Sequence, residues 1–225
     1  MTITGLLRRA RRSVVGAALI AAAGTSAALA HPHVYVDART QVVFDGEGRI
    51  SAIRQIWRFD DAFSAFASQG LDANGDGILS VEELAGLAKV NVDSLKDYDY
   101  FTLPRQGGRR LGLKLPSDYR LESNDGYLTL FFTLQMMQPV VPGKDGVTID
   151  VFDPGYFVDF SMVEDKPVVV EGAPASCTTD LKRKGAPDEA TAAILGQIPA
   201  SERELPTSLR SLTAQLSNRI TVKCP

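Results

Sequence analysis

Residues 33–44, HVYVDARTQVVF, put Val34, Val36 and Ala38 on one side of an extended chain and Tyr35, Asp37 and Arg39 on the other. A period of two suits a pleated strand with one buried face and fits no helix. Asp45-Gly46-Glu47-Gly48 then supplies a turn. Residues 50–59 read as a second strand, in which Ile50, Ala52, Arg54 and Ile56 alternate, less cleanly, against Ile53 and Trp57. Together they predict a hairpin. Further strands are expected at 111–115, 119–123, 127–138, 147–152, 156–162 and 168–171, with turns at Asn124-Asp125-Gly126 and Gly143-Lys144-Asp145-Gly146. Short strands at this spacing predict an antiparallel sandwich.

The pattern changes period between the second strand and Phe101. Asp60 or Asp61 can cap a helix running to about residue 69, with Phe63 and Phe66 on one face. A second helix is expected over 81–96, from Leu84, Leu87, Ala88 and Leu95. Trp57, Phe59, Phe63 and Phe66 are expected in the core. Beyond residue 171 the tail reads as helical, with amphipathic stretches at 188–198 and 207–219, the latter carrying Leu209, Leu212 and Leu216. The expected fold class is therefore α+β. It is a mostly antiparallel β-sandwich over 31–171 with an EF-hand-like helix–loop–helix inserted at about 60–98, followed by a disulfide-tethered helical tail at 172–225.

Between the two inserted helices lies DANGDGILSVEE. It matches a twelve-residue calcium loop position by position. Asp72, Asn74 and Asp76 take the first, third and fifth places, and Gly77 the sixth, where the chain turns sharply. Ile78 offers its carbonyl at the seventh, Ser80 acts directly or through water at the ninth, and Glu83 stands at the twelfth. Leu79, at the eighth, is expected to pack inward. Hard oxygen donors at alternating positions suit calcium. A solitary loop of this kind belongs at the weak end of the calcium range, about 10⁻⁴–10⁻³ M. Its expected role is to hold the inserted hairpin in shape.

Residues 1–30 have the parts of a secretory signal. Arg8, Arg9, Arg11 and Arg12 precede an uncharged apolar run, and Ala28-Leu29-Ala30 is a small-x-small cleavage site. Cleavage after Ala30 leaves 195 residues with 20 basic and 27 acidic side chains. That balance argues against nucleic acid or an anionic membrane surface as partner. In an exported chain the two cysteines, Cys177 and Cys224, read as a disulfide. They lack the close spacing of a zinc knuckle.

Both histidines of the chain, His31 and His33, fall at the cleavage point. His31 would start the mature chain, so its amine and imidazole could chelate one metal together. His33 is two residues on, on the same side of an extended chain. Pro32 has no amide proton to lose, which excludes the copper site that needs a deprotonated second amide. Imidazole suits zinc, copper and nickel, and such a site empties below about pH 6.

In order along the chain, HPHVYVD, WRFDDAFSAF, DANGDGILSVEEL, YDYFTL and VFDPGYFVDF resemble a periplasmic family of uncharacterised domain, described as a component of an ABC-type transport system. The resemblance runs from about residue 30 to 162 and leaves the segment after Glu171 outside it. It implies a periplasmic accessory protein, not an enzyme, that works beside a membrane permease of the NicO (nickel/cobalt) type and is linked to zinc uptake. It implies His31 and His33 as transition-metal ligands, for zinc or else nickel, cobalt or copper. Asp153, in the family-like segment, could complete the coordination or simply bond its own turn backbone. Asp37, Asp60 and Asp61 are further carboxylates within reach in principle. Two other readings stand beside this one. One is a calcium-stabilised interaction domain with no transport role. The other is a copper-dependent oxidative enzyme using the amino-terminal chelate. Against the enzyme, the chain has no third histidine, no G-x-S-x-G element and no Cys–His pair.

Overall fold

The alternation at the start of the chain forms β1 (Val34–Phe44), which buries every second side chain. β2 (Ile50–Phe59) folds back on it as the expected antiparallel hairpin. The structure is a computed structural model and describes residues 32–198, 205–206 and 209–225. The signal at 1–30 and His31 lie outside these.

The uneven alternation of β2 has a local cause. The register slips between Ile50 and Ala52, where Ser51 Oγ donates to the Val43 carbonyl. One extra residue turns the strand over. The core-facing set therefore passes from Ile50 to Ile53, Gln55, Trp57 and Phe59, while Ala52, opposite Val43, is buried on the other face.

Among the described residues the remaining strands are β3 (Thr102–Gln106), β4 (Arg109–Arg110), β5 (Tyr119–Asn124), β6 (Tyr127–Val140), β7 (Val147–Val151), β8 (Val158–Met162), β9 (Val168–Glu171), β10 (Thr178–Lys182) and β11 (Asn218–Lys223). One sheet has the order β5-β6-β2-β1-β8, with β9 also on β1, and the other has the order β10-β11-β7-β3-β4. Buried residues of both sheets form one core, in which Trp57, 1 % exposed, meets Phe132 edge-on at 4.7 Å, Phe160 at 4.8 Å and Phe101 at 6.3 Å. A buried polar thread also joins the sheets. Thr40 Oγ1 donates to Gln55 Oε1 at 2.8 Å, and Gln55 Nε2 donates to Thr102 Oγ1 at 3.0 Å.

The fold is mixed α+β and mostly strand, but it is not purely antiparallel. β1 pairs in parallel with β8 over Val34–Ala38 and with β9 over Thr40–Val43. β1 is long enough for two short strands to lie end to end along one edge. Residues 163–167 bulge out between them, with Val163 N–H on the Ala38 carbonyl and Thr40 N–H on the Pro167 carbonyl. Side-chain alternation is the same for either direction of pairing, so the pattern alone does not reveal this.

Three other expectations need correction. Residues 111–115 are not a strand; only Leu113 makes an isolated bridge, to Met136. Met137 lies so close over Gly112 that a Cβ there would stand 2.6 Å from its sulfur, and Pro116 follows shortly after. Phe66 is 74 % exposed rather than in the core, because α1 (Asp61–Ala67) is only two turns long and turns Phe63 inward. The tail is not simply helical. It has α3 (Glu189–Leu195), the short α4 (Arg210–Thr213) and a 3-10 turn, Ala214–Leu216, but β10 and β11 join the second sheet, and β11 lies between β10 and β7. Ile220 and Val222 enter the main core, and this β-branched period-two ending overrides the leucine stripe before it.

The expected disulfide Cys177–Cys224 is present, joining the approach to β10 to the end of β11. In the insertion, Asp60 caps α1 by accepting Phe63 N–H at 2.8 Å. α2 (Val81–Leu95) begins with a capping box in which Ser80 and Glu83 bond each other's backbone, and it buries Leu84, Ala88 and Val92. These fall four residues apart, one helical face, which lies on β5 at the edge of the first sheet.

Candidate functional site

The turn after β7 gathers several of the residues singled out from the sequence. Asp153, 4 % exposed, accepts the N–H of Gly155 on Oδ1 at 2.7 Å. Its Oδ2 accepts Phe157 N–H at 2.8 Å and Val158 N–H at 3.0 Å. A carboxylate is the only short side chain that can take three such donors, and burial makes each of them count. Gly155 makes room here, since a Cβ would meet Asp153 Oδ1 at 3.1 Å and press on the carboxylate. Asp153 thus bonds its own turn backbone, one of the two roles expected for it.

His33 reaches the same turn from the other side. Its N–H donates to the Phe157 carbonyl at 2.9 Å, followed by Val34 N–H at 3.2 Å. Its ring lies 4.9 Å from the Phe157 ring, tilted by 32°. Phe157 is therefore the common anchor of His33 and Asp153. The other carboxylates are engaged elsewhere. Asp37 pairs with Arg58 at 3.3 Å, Asp60 receives Tyr35 N–H as well as capping α1, and Asp61 receives Ala62 N–H. Among the described residues no three His, Cys, Asp or Glu side chains converge as a metal-binding group.

The acidic loop is wound on its own oxygens. Asp72 receives Gly75 N–H at 2.7 Å and Gly77 N–H at 2.9 Å. Asn74 Oδ1 receives Asp76 N–H, and Asp76 Oδ1 receives Ile78 N–H. Gly75 and Gly77 have φ of 73° and 80°, the left-handed region where glycine is favoured. Ile78 is exposed, and Leu79 packs inward as expected. Glu83 takes Ala73 N–H on Oε1 and the Ser80 N–H and hydroxyl on Oε2. The backbone bond from Ser80 is the main cause that holds the Glu83 carboxyl below its ordinary pKa, so it stays charged in mild acid. The donors are all oxygen, which suits a hard cation. Asp72, Asp76 and Glu83 are not drawn together in this structure.

A feature the sequence reading missed lies next to the Asp153 turn. α2 runs into a 3-10 turn, Lys96–Phe101, whose last three residues, Asp99, Tyr100 and Phe101, have φ of 54°, 53° and 47°. Together with the Asp153 turn and the β3–β4 hairpin, this segment encloses a cavity of about 550 Å³. The only local hint was DYDYF, a cluster of acids and aromatics with no glycine to announce a left-handed turn.

Among the described residues no helix is long and apolar enough to cross a membrane. The disulfide fits an oxidising compartment outside the cytoplasm. One curated relative is an uncharacterised 15.5 kDa protein in the trpE 3' region of Spirochaeta aurantia. It is 30 % identical over 100 residues, which cover 44 % of this chain and 71 % of that protein. The family model described as "Protein of unknown function (DUF1007)" matches residues 16–224, nearly the whole length, and the chain belongs to that family.

Proposed function

We propose that the protein is a periplasmic metal-binding accessory of a transition-metal transport system, with zinc as its cargo, whose helical insertion is braced by calcium. The observation that carries this reading is the docking of His33 on Phe157, whose own N–H is held by buried Asp153. Fixed backbone on both sides of Phe157 presents the His33 imidazole at a constant place, and His31 and its amine follow two residues upstream. A preset first ligand lowers the ordering cost of binding. The disulfide and the negative charge balance agree with an exported protein that handles cations. The partner in this reading is a membrane permease of the NicO type.

Two imidazoles and an amine at a chain end, with the His33 ring exposed, suit capture and release better than permanent retention. Asp153 serves this reading by setting the turn.

The test is intact mass and metal content of the protein purified from the periplasm. The expected material begins at His31, contains the disulfide and binds one zinc. Replacing His31 and His33 by alanine is expected to abolish zinc uptake and leave calcium binding intact. A chain that starts elsewhere, or a double variant that binds zinc as before, overturns the transport reading. The calcium-braced interaction domain would then stand. Bound copper with turnover of a reducing substrate would point to the oxidative enzyme.

A further inference from the structure

The cavity shares the Asp153 turn and Phe157 with the histidine end, but its cationic lining, Arg105 and Arg110, comes from β3 and β4. About 550 Å³ lies within the usual span of small-molecule sites, about 300–1,000 Å³. Leu95, Leu103, Phe152 and Val158 give it apolar walls, and buried Phe101 also lines it.

Its shape is set in advance. Three consecutive non-glycine residues in the left-handed region cost about 1–2 kcal/mol each, and such backbone persists only where its surroundings hold it. Here they do. Tyr100 and Phe101 are buried, Thr102 Oγ1 donates to the Tyr100 carbonyl at 2.8 Å, and Phe152 N–H donates to the Phe101 carbonyl at 3.2 Å.

Two arginines face the cavity, and they differ. Arg110 is paired with Asp99 at 2.5 Å. Arg105 is half-buried, has no carboxylate partner among the described residues, and makes only a long bond of 3.5 Å to the Gly108 carbonyl. A guanidinium fork beside apolar walls is matched by a carboxylate. The charge of the ligand is also bounded. Asp97, Asp99 and Asp153 line the same cavity; Asp99 is paired with Arg110 and Asp153 is held by its own turn, and the three carboxylates together disfavour a dianion such as a phosphate ester.

We propose that this cavity binds a small monocarboxylate with an apolar or aromatic body, its carboxylate on Arg105 and its body between Leu103, Leu95 and Phe152. The inference goes beyond the metal reading: the two share Phe157 and the Asp153 turn, but Arg105 and the end of α2 take no part in the metal site, so neither reading depends on the other.

The experiment uses the isotope-labelled mature chain with 3-phenylpropionate and its neutral amide as probes, followed by backbone amide shifts, with and without chelator. The acid is expected to shift the amides of Leu103, Arg105, Phe152 and Val158 and to bind at least about tenfold tighter than the amide. Arg105→Gln is expected to remove that preference and leave the weak amide binding unchanged. Arg105→Lys is expected to retain part of it, and Arg109→Gln, on the neighbouring exposed arginine, all of it. No shift with about 10 mM acid overturns the proposal. So do equal affinities for acid and amide, or an unaltered preference in a folded Arg105→Gln protein. Tighter binding of a tetrapeptide ending in a free phenylalanine carboxylate would assign the cavity to chain termini and overturn the small-molecule assignment.

Discussion

Asp153 receives the N–H of Phe157 on Oδ2 at 2.8 Å, while the carbonyl of Phe157 receives the N–H of His33. The loss of three buried bonds to one carboxylate has a direct consequence. Asp153→Ala is expected to destabilise the protein by about 3 kcal/mol, with or without metal, in urea unfolding. Asp153→Asn, with a single oxygen acceptor, should fall between. A stability loss that appears only when zinc is present would make Asp153 a ligand first and a turn residue second.

The acidic loop should respond to calcium as a binding site of modest affinity. At about ten times its dissociation constant, calcium is expected to add about 1.4 kcal/mol to the unfolding free energy. Glu83→Gln, which removes the bidentate carboxylate of the twelfth place, should abolish most of the gain, while Gln can still accept the Ser80 N–H in the capping box. Thermal unfolding with calcium, with magnesium and with chelator separates these outcomes. A rise in melting temperature that Glu83→Gln retains would place the cation elsewhere.

The Cys177–Cys224 bond closes a long loop, with a sequence separation of 47. In the chain-entropy model this is worth about 4 kcal/mol. Replacing both cysteines by serine should therefore lower the unfolding free energy by about that amount. Hydrogen exchange should show the loss first in β10, the edge strand of its sheet. A double variant as stable as the parent would mean that the strand pairing of β11 alone holds the tail.

Asp45 organises the first hairpin turn. It receives the N–H groups of Glu47 and Arg49 and the Arg49 guanidinium. The backbone bond from Arg49 is the main cause that lowers its carboxyl below the ordinary 3.8. A carboxyl depressed on folding contributes stability above its unfolded value and loses it as pH falls through the folded one. The difference in stability between the parent and Asp45→Asn should therefore be constant at neutral pH and shrink below 3.8. A difference independent of pH would trace to the geometry of the turn rather than to its charge.

What could be read in the sequence was local. The alternation of Val34, Val36 and Ala38 identified β1, and Leu84 with Ala88 gave the buried face of α2. What could not be read depended on partners far along the chain. Gln55 looks like a surface residue, yet it is buried because the slip at Ser51 turns it inward to meet Thr40 and Thr102. The parallel pairing of β1 is set by the path from β7 to β8, and alternation carries no sign of direction. The site divides in the same way. Asp153 bonding its own turn was one of the two roles the sequence left open, because that role is local. The cavity was not, because Arg105 and Leu95 meet only through the backbone run from Asp99 to Phe101.

The placement of β1 and β11 bears on how the chain can reach this state. β1 keeps one edge open until β8 and β9 arrive more than a hundred residues later, and β10 has no partner in the second sheet until β11 comes in between it and β7. A chain emerging from its amino end cannot complete either layer early. Its assembly is governed by long-range closure, which is slow and leaves strand edges available to chaperones in the interval.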